Sequence, residues 1–268
     1  MDYDDKRIDA LDRKRDKQRV KTKRKREERS AYGGIFDKQT HEIVKKLYVK
    51  GILQELVGII SAGKEANVYF GYGKDRQPIA IKIYKVDPQN TKWMKSYIIG
   101  DPRFKKIGST TIKIIQTWCK KEFKNLTQMK KAGVNVPNPI VSLDTILVMD
   151  FIGEEDGTPA PRLKDVKDLK DPQTLLTNII DQIEKMYRIA RLVHGDLSEF
   201  NILFLNDIIW IIDVSQAVST SHANATFLLE RDLTNIINYF ARYIPVEDLP
   251  SVHSLMESIL SENKSESK

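Results

Sequence analysis

The apolar positions of this chain follow two periods. Up to about residue 152 they mostly come in short runs of strand type: Leu56–Ser61, Asn67–Tyr72, Pro78–Val86 and Ile146–Ile152. Between and before these runs, a helical period predicts two helices. The first runs from Thr40 to about Glu55, with Ile43, Val44, Leu47 and Ile52 on one face and Thr40 as its cap. The second covers Thr110–Ala132, stopped by Gly133 and Pro137, with Ile112, Ile115, Cys119, Phe123, Leu126 and Met129 as its apolar face. Later positions repeat mainly at helical spacing. Leu175–Val193 carries Leu176, Ile179, Ile180, Ile183, Met186, Tyr187 and Ala190 on one side, and Phe227–Tyr243 and Val252–Leu260 close the chain. Ile202–Val214 reads as a hairpin about Asn206-Asp207. Strands gathered in the first half and helices in the second predict an α+β protein of two lobes. Residues Asp87–Gly108, with Pro88, Gly100, Pro102, Gly108 and many lysines, fit neither period and are expected to be a functional or mobile loop.

Charge adds a third region. The chain has 268 residues, 44 Lys+Arg and 37 Asp+Glu. Residues 1–30 hold 13 basic and 8 acidic side chains, a net of +5, so the remainder is almost neutral. Arg19–Arg26 is the densest stretch. It reads either as a solvated tail or as an arm for the phosphates of nucleic acid. The single cysteine, Cys119, excludes a disulfide scaffold and a cysteine-based zinc site and fits a reducing compartment. No run of 18 apolar residues is present, and the N-terminus has no signal-like apolar stretch. These features predict a soluble, cytoplasmic protein with no membrane partner.

Several polar residues stand where a fold alone does not need them. Ser61-Ala-Gly-Lys-Glu-Ala-Asn-Val-Tyr69 joins two strands and could lay backbone N–H groups over phosphates, although a plain hairpin loop is the better explanation of it taken alone. It is not a Walker A loop. Lys82 lies in the apolar strand Ile79–Tyr84, where a buried ammonium requires an anionic partner. Glu122 falls within the apolar stripe of its helix. Its helical neighbours Trp118, Cys119, Asn125 and Leu126 include no base, so its partner must lie off the helix. In His194-Gly-Asp-Leu-Ser-Glu-Phe-Asn201, Asp196 is placed to accept a proton or orient a nucleophile. The following hairpin returns Asp213 towards Asn201. That brings together an amide oxygen and a carboxylate, a hard-oxygen pair suited to Mg²⁺ or Mn²⁺. Each residue alone has a bland explanation as a turn former or surface charge. Lys, Glu, Asp, Asn and Asp in this order and spacing do not.

These motifs resemble the protein-kinase core. Together with Ile212-Asp-Val-Ser-Gln-Ala-Val218 they resemble more closely the RIO family of atypical serine/threonine kinases, its first subfamily, and the short chain resembles an archaeal member. The match covers roughly residues 35–260. The resemblance implies a kinase-like domain over 31–268, preceded by the basic arm 1–30. Its N-lobe (31–148) would be an antiparallel sheet plus helix, its hinge 149–153 and its small helical C-lobe 154–268, with extra helices at the N-terminus. It implies ATP and Mg²⁺, with Mn²⁺ as a substitute. Ser61, Gly63, Lys64, Glu65, Ala66, Asn67 and Val68 would cover the triphosphate. Lys82 would hold the α- and β-phosphates and pair with Glu122. Met149 would be the gatekeeper, and the backbone of Asp150 and Ile152 would bind adenine. Asp196 would be the catalytic base, and Asn201 and Asp213 would bind metal. Asp213 would also accept phosphate during ATP hydrolysis, as an aspartyl-phosphate. The implied partner is the pre-ribosomal small subunit, with its rRNA met through the basic arm.

The departures from ordinary kinases matter. Ser198 stands two residues after Asp196, where a lysine near the γ-phosphate is usual, so one stabilising charge is missing. Asp213 is followed by Val214-Ser215 rather than Phe-Gly, and no Ala-Pro-Glu follows. Slow ATP hydrolysis coupled to a conformational change fits this better than protein phosphorylation. Two alternatives carry some of the same motifs: a small-molecule phosphotransferase of the aminoglycoside or choline kinase type, and a non-catalytic, ATP-gated RNA-binding scaffold.

Overall fold

The Asp37 carboxylate accepts the Thr40 backbone N–H at 2.8 Å and so starts a helix, α1 (Lys38–Val49), three residues before the expected cap. The structure, a computed structural model, describes residues 36–101, 103–104 and 108–261. Residues up to Lys50 and residues from Gly51 onward form separate compact units. In the first, α1 places Ile43, Val44 and Leu47 on one face and is the one expected N-terminal helix inside the described residues. The basic arm 1–30 lies outside them.

The second unit begins with the strands β1 (Glu55–Ala62), β2 (Ala66–Tyr72) and β3 (Pro78–Tyr84). After them, Asp87 caps helix α2 (Pro88–Ile98) by accepting the Gln89 N–H at 2.9 Å, with Pro88 in the first turn. This corrects the expected loop: the Asp-Pro start signal outweighs the glycine- and lysine-rich flank. Helix α3 (Thr111–Lys131) runs over the expected span and is capped by Thr110. Its buried face is Ile114, Ile115, Trp118, Cys119, Leu126 and Met129, whereas Ile112 and Phe123 are only partly covered. Trp118 is fully buried, with Trp93 of α2 edge-on at 5.2 Å.

Strand β4 (Pro139–Leu143), which begins with Pro139 and has little alternation, pairs with β5 (Ile146–Asp150). The five strands form one antiparallel sheet of order β1-β2-β3-β5-β4. Strand β3 is central and buried on both faces, and Lys82 pairs with Val68 on one side and Leu147 on the other.

Asp171 and Pro172 start helix α4 (Pro172–Arg188), earlier than the apolar period suggests. It stops before β6 (Leu192–Val193), a short strand that the continuous apolar run had merged with the helix. The hairpin β7 (Ile202–Leu205) and β8 (Ile208–Ile211) turns at Asn206 and Asp207, both at positive φ as a tight two-residue turn demands. Strand β9 (Val218–Ser219) pairs with β6. Helices α5 (Ala225–Phe240) and α6 (Val252–Leu260) follow. Ile179, Ile183, Leu233, Ile236 and Phe240 are buried here, and a fully buried side chain of this kind contributes about 2 kcal/mol. Among the described residues no helix is long and apolar enough to cross a membrane.

Candidate active site

The strand lysine settles the geometry. Lys82 Nζ donates to Glu122 Oε1 at 2.8 Å and to Asp213 Oδ1 at 2.9 Å, joining β3, α3 and the segment after β8. Burial alone would discourage the ammonium. The charges of Asp213 and Glu122 outweigh it and hold the Lys82 pKa well above the usual lysine range. Burial pushes the Glu122 carboxyl up while Lys82 opposes it, and Tyr84 Oη donates to Glu122 Oε2.

A cavity of about 570 Å³ opens beside this pair, a size suited to a small ligand. Its roof is the β1–β2 turn: Ser61, Gly63, Lys64, Glu65, Ala66 and Val68 all line it. Asn67 does not. It alternates with Ala66 and Val68 along β2 and so falls on the other face of the sheet. The turn is braced from behind. Lys85 Nζ donates to the Gly63 carbonyl at 2.6 Å and Asn90 Nδ2 to the Lys64 carbonyl at 3.4 Å. Burial, followed by the Asp213 charge, pushes Glu65 up to about 7.

The back wall comes from β3 and β5, where Ala80 pairs with Met149. Met149, Asp150 and Ile152 all line the cavity. The Asp150 N–H donates to the Asn138 carbonyl at 2.9 Å and the Ala160 N–H to the Ile152 carbonyl at 3.0 Å, so the segment after β5 is fixed on both sides. The sequence reading missed the facing wall, which includes Pro159–Arg162, Asp165 and Leu203.

The floor holds Asn201 and Asp213. The hairpin delivers them as expected: Ile202 pairs with Ile211, and the Ile212 N–H donates to the Asn201 carbonyl at 3.0 Å. Asp213 is left-handed at φ 57, a conformation that costs about 1 kcal/mol or more for a non-glycine residue and marks a functional constraint. Burial would raise its carboxyl, but Lys82 first and Ser215 Oγ, donating at 3.1 Å, hold it below the ordinary range. Its side chain is still 47% exposed and so opens into the cavity.

Asp196 lies beside the cavity, outside its lining. Its Oδ2 accepts from Gln216 Nε2 at 3.0 Å, and its backbone carbonyl accepts from Asn201 Nδ2 at 2.8 Å. Burial and then the Asp213 charge raise its pKa, as suits a proton acceptor. The loop that carries it rests on residues with no motif signal. Asp232 of α5 accepts the N–H groups of Gly195 at 2.7 Å and Leu197 at 2.8 Å, and burial pushes its carboxyl up to about 7. His194 Nε2 lies 3.1 Å from the Ile212 carbonyl, while its Nδ1 accepts the Asp196 N–H at 3.3 Å. That pattern fixes a neutral imidazole with Nε2 protonated, and burial lowers its pKa to about 4.

The turn after Asp213 is clamped by α3. Lys121, fully buried, donates to the carbonyls of Ser215 at 2.8 Å and of Ala217. Asn125 Nδ2 donates to the Val214 carbonyl at 2.8 Å and the Ala217 carbonyl at 3.2 Å. Lys121, Glu122 and Asn125 thus serve one site from one helix.

The donor set suits a hard divalent cation. Asn201 has its amide oxygen left over, and Asp213 has Oδ2, with Oδ1 taken by Lys82 and Ser215. Two oxygens with an open side match Mg²⁺, which completes its shell with water and phosphate oxygens. Among the described residues no group of three or more His, Cys, Asp or Glu side chains could by itself hold a metal.

Residues 67–252 match the family described as the RIO domain. The RIO-type serine/threonine-protein kinase Rio1 of Methanocaldococcus jannaschii is 41% identical over 233 residues, covering 87% of this chain and 79% of that protein. The Haloferax volcanii protein of the same name is 39% identical over 208 residues, covering 78% and 71%. The Caenorhabditis elegans serine/threonine-protein kinase RIO1 is 38% identical over 252 residues, and the chain spans only 48% of it. Among solved structures, a Rio2 kinase–ADP/Mg²⁺–phosphoaspartate complex from Chaetomium thermophilum superposes with a TM-score of 0.63 at 21% identity, covering 82% of this chain and 66% of that one. The likeness makes the architecture the two-lobed, kinase-like α+β fold.

Proposed function

We propose that this chain, which belongs to the RIO family, is an atypical serine/threonine kinase and ATPase that takes ATP with Mg²⁺ in the cavity under the β1–β2 turn. The observation that carries the reading is Lys82 held between Glu122 and Asp213 at the cavity floor. An ammonium has three donors. Two are spent on the carboxylates, and the third is available to a phosphate oxygen. The adenine would lie against Ala80 and Met149, with the backbone of Asp150 and Ile152 at its edge.

Asn201 and Asp213 would hold Mg²⁺, which when bound neutralises charge on the β- and γ-phosphates. Asp213 would attack the γ-phosphorus through one carboxylate oxygen while the other stays with the cation. The bond to the β–γ bridging oxygen breaks, ADP leaves, and an aspartyl-phosphate forms on Asp213. Water then attacks that phosphorus while Asp196 takes its proton, releasing inorganic phosphate and restoring the Asp213 carboxylate. The neighbour named as a phosphoaspartate complex supports this route over direct transfer. Family membership and the basic composition of residues 1–30 support a role in late maturation of the small ribosomal subunit, with rRNA as partner.

The test is Mg²⁺-dependent ATP turnover by the full chain and by Asp196→Ala. The proposal expects turnover that falls at least a hundredfold in the variant. No turnover above background in the wild type, or equal rates in both, overturns it.

A further inference from the structure

We infer that the outer face of α3 is a second docking surface for RNA, built into the folded domain and separate from the N-terminal arm. The exposed residues of this helix are Lys113, Lys120, Lys124, Lys130 and Lys131, and every one is a lysine. Four of them, Lys113, Lys120, Lys124 and Lys131, are spaced by 7, 4 and 7 residues. At 3.6 residues per turn they fall in one stripe within about 20° of a common line, and the stripe is about 27 Å long.

No described carboxylate forms an ion pair with any of the five. Glu122, the helix's sole acid, is buried on the opposite side against Lys82. Asp101 is buried and bound by Arg103. Asp144, at the flank, accepts from Gln116. Lys124 and Lys130 rest over the rings of Phe104 and Trp210.

The chemistry of the face selects its occupant. A protein partner is usually anchored by an aromatic or aliphatic side chain in a dry pocket. Here the helix residues flanking the stripe are Gln116, Thr117, Thr127 and Gln128, and the neighbouring Phe104 ring is covered by Lys124. A straight row of point charges matches a regular run of phosphates. The partner's identity rests on the rRNA reading above, and the surface is the new element. Because Lys121, Glu122 and Asn125 project from the other side of the same helix, RNA on this face would lie against the element that fixes Lys82 and the Asp213 turn.

The experiment measures binding of a fluorescein-labelled stem–loop RNA to the full chain over a range of salt. The helix variant carries Lys113→Gln, Lys120→Gln, Lys124→Gln and Lys131→Gln. A charge-matched control carries Lys74→Gln, Lys167→Gln, Lys170→Gln and Arg242→Gln. ATP turnover is measured on the same samples. The helix variant is expected to lower the slope of log K against log salt by about 3 and to weaken binding at least tenfold. The control should keep the wild-type slope, and both should keep wild-type ATP turnover. An unchanged slope in the helix variant, or an equal loss in the control, overturns the docking surface while leaving the ATPase reading intact. Wild type that binds no RNA overturns both the surface and the rRNA partnership.

Discussion

Gln216 donates its side-chain amide to the Asp196 carboxylate across 3.0 Å, so the proposed base is tied to the same turn that begins at Asp213. Gln216→Leu removes that tie without adding charge. It is expected to lower kcat about tenfold while KM for ATP changes little, since the residue lies outside the cavity lining. Gln216→Glu places a second negative charge against Asp196, whose pKa burial and Asp213 already raise. The acid limb of the kcat–pH profile should therefore move to higher pH. A limb that stays in place refutes the assignment of Asp196 as the titrating base.

Glu122→Ala leaves Lys82 buried with Asp213 as its one carboxylate. Removing one member of a buried pair costs about 3 kcal/mol, so thermal or denaturant unfolding should show a clear loss. Glu122→Gln keeps the volume and a carbonyl acceptor and should recover part of that loss. ATP turnover is expected to fall in both, because Lys82 is then held less firmly at the phosphates.

Lys121 offers a test by pH. Burial lowers its pKa to about 7 from 10.5. Between those values the unfolded chain binds the extra proton, so stability rises as pH climbs through the window. Above pH 9.0 the Cys119 thiol, pushed up to about 12 by burial, works in the opposite direction. Urea unfolding between pH 7 and about 9 should thus show stability rising in the wild type and flat in Lys121→Met. The same variant frees the Ser215 carbonyl and should lower kcat.

His194 produces the acid limb. Its folded pKa of about 4 lies below the ordinary 6.5, so the unfolded chain takes up the proton first as pH falls. The imidazole's own share, present above 6.5, is lost on acidification towards 4 by roughly 3 kcal/mol, against the opposite trend of Glu65 and Asp232, whose carboxyls burial raises to about 7. His194→Gln should lack that loss, which denaturation at several pH values would show.

The site was legible where local rules force a distant consequence. An ammonium in an apolar strand needs an acid, and a glutamate on an apolar helical stripe with no basic neighbour needs a base; Lys82 and Glu122 answer each other across 40 positions. The Asn206-Asp207 turn set the register that joins Asn201 to Asp213. Other parts depend on tertiary contact alone. Asp232 looks like a solvent-facing acid until Gly195 and Leu197 meet it from 35 or more residues away. Lys121 looks like one more surface lysine beside Glu122, and only the returning turn supplies its carbonyls. Helix α2 is hard to see in the sequence because the Asp87-Pro88 start signal sits in a stretch rich in glycine and lysine.

The clamp on residues 214–217 also restricts which inhibitors this cavity can accept. Swinging Asp213 outward would break the bonds from Lys121 and Asn125 to three backbone carbonyls and would strand an amine inside the protein. A compound that gains its affinity by wedging into the space behind a displaced aspartate would have to supply that energy itself. Compounds that leave the 214–217 turn in place would instead draw their contacts from the facing wall, Pro159–Arg162 and Asp165.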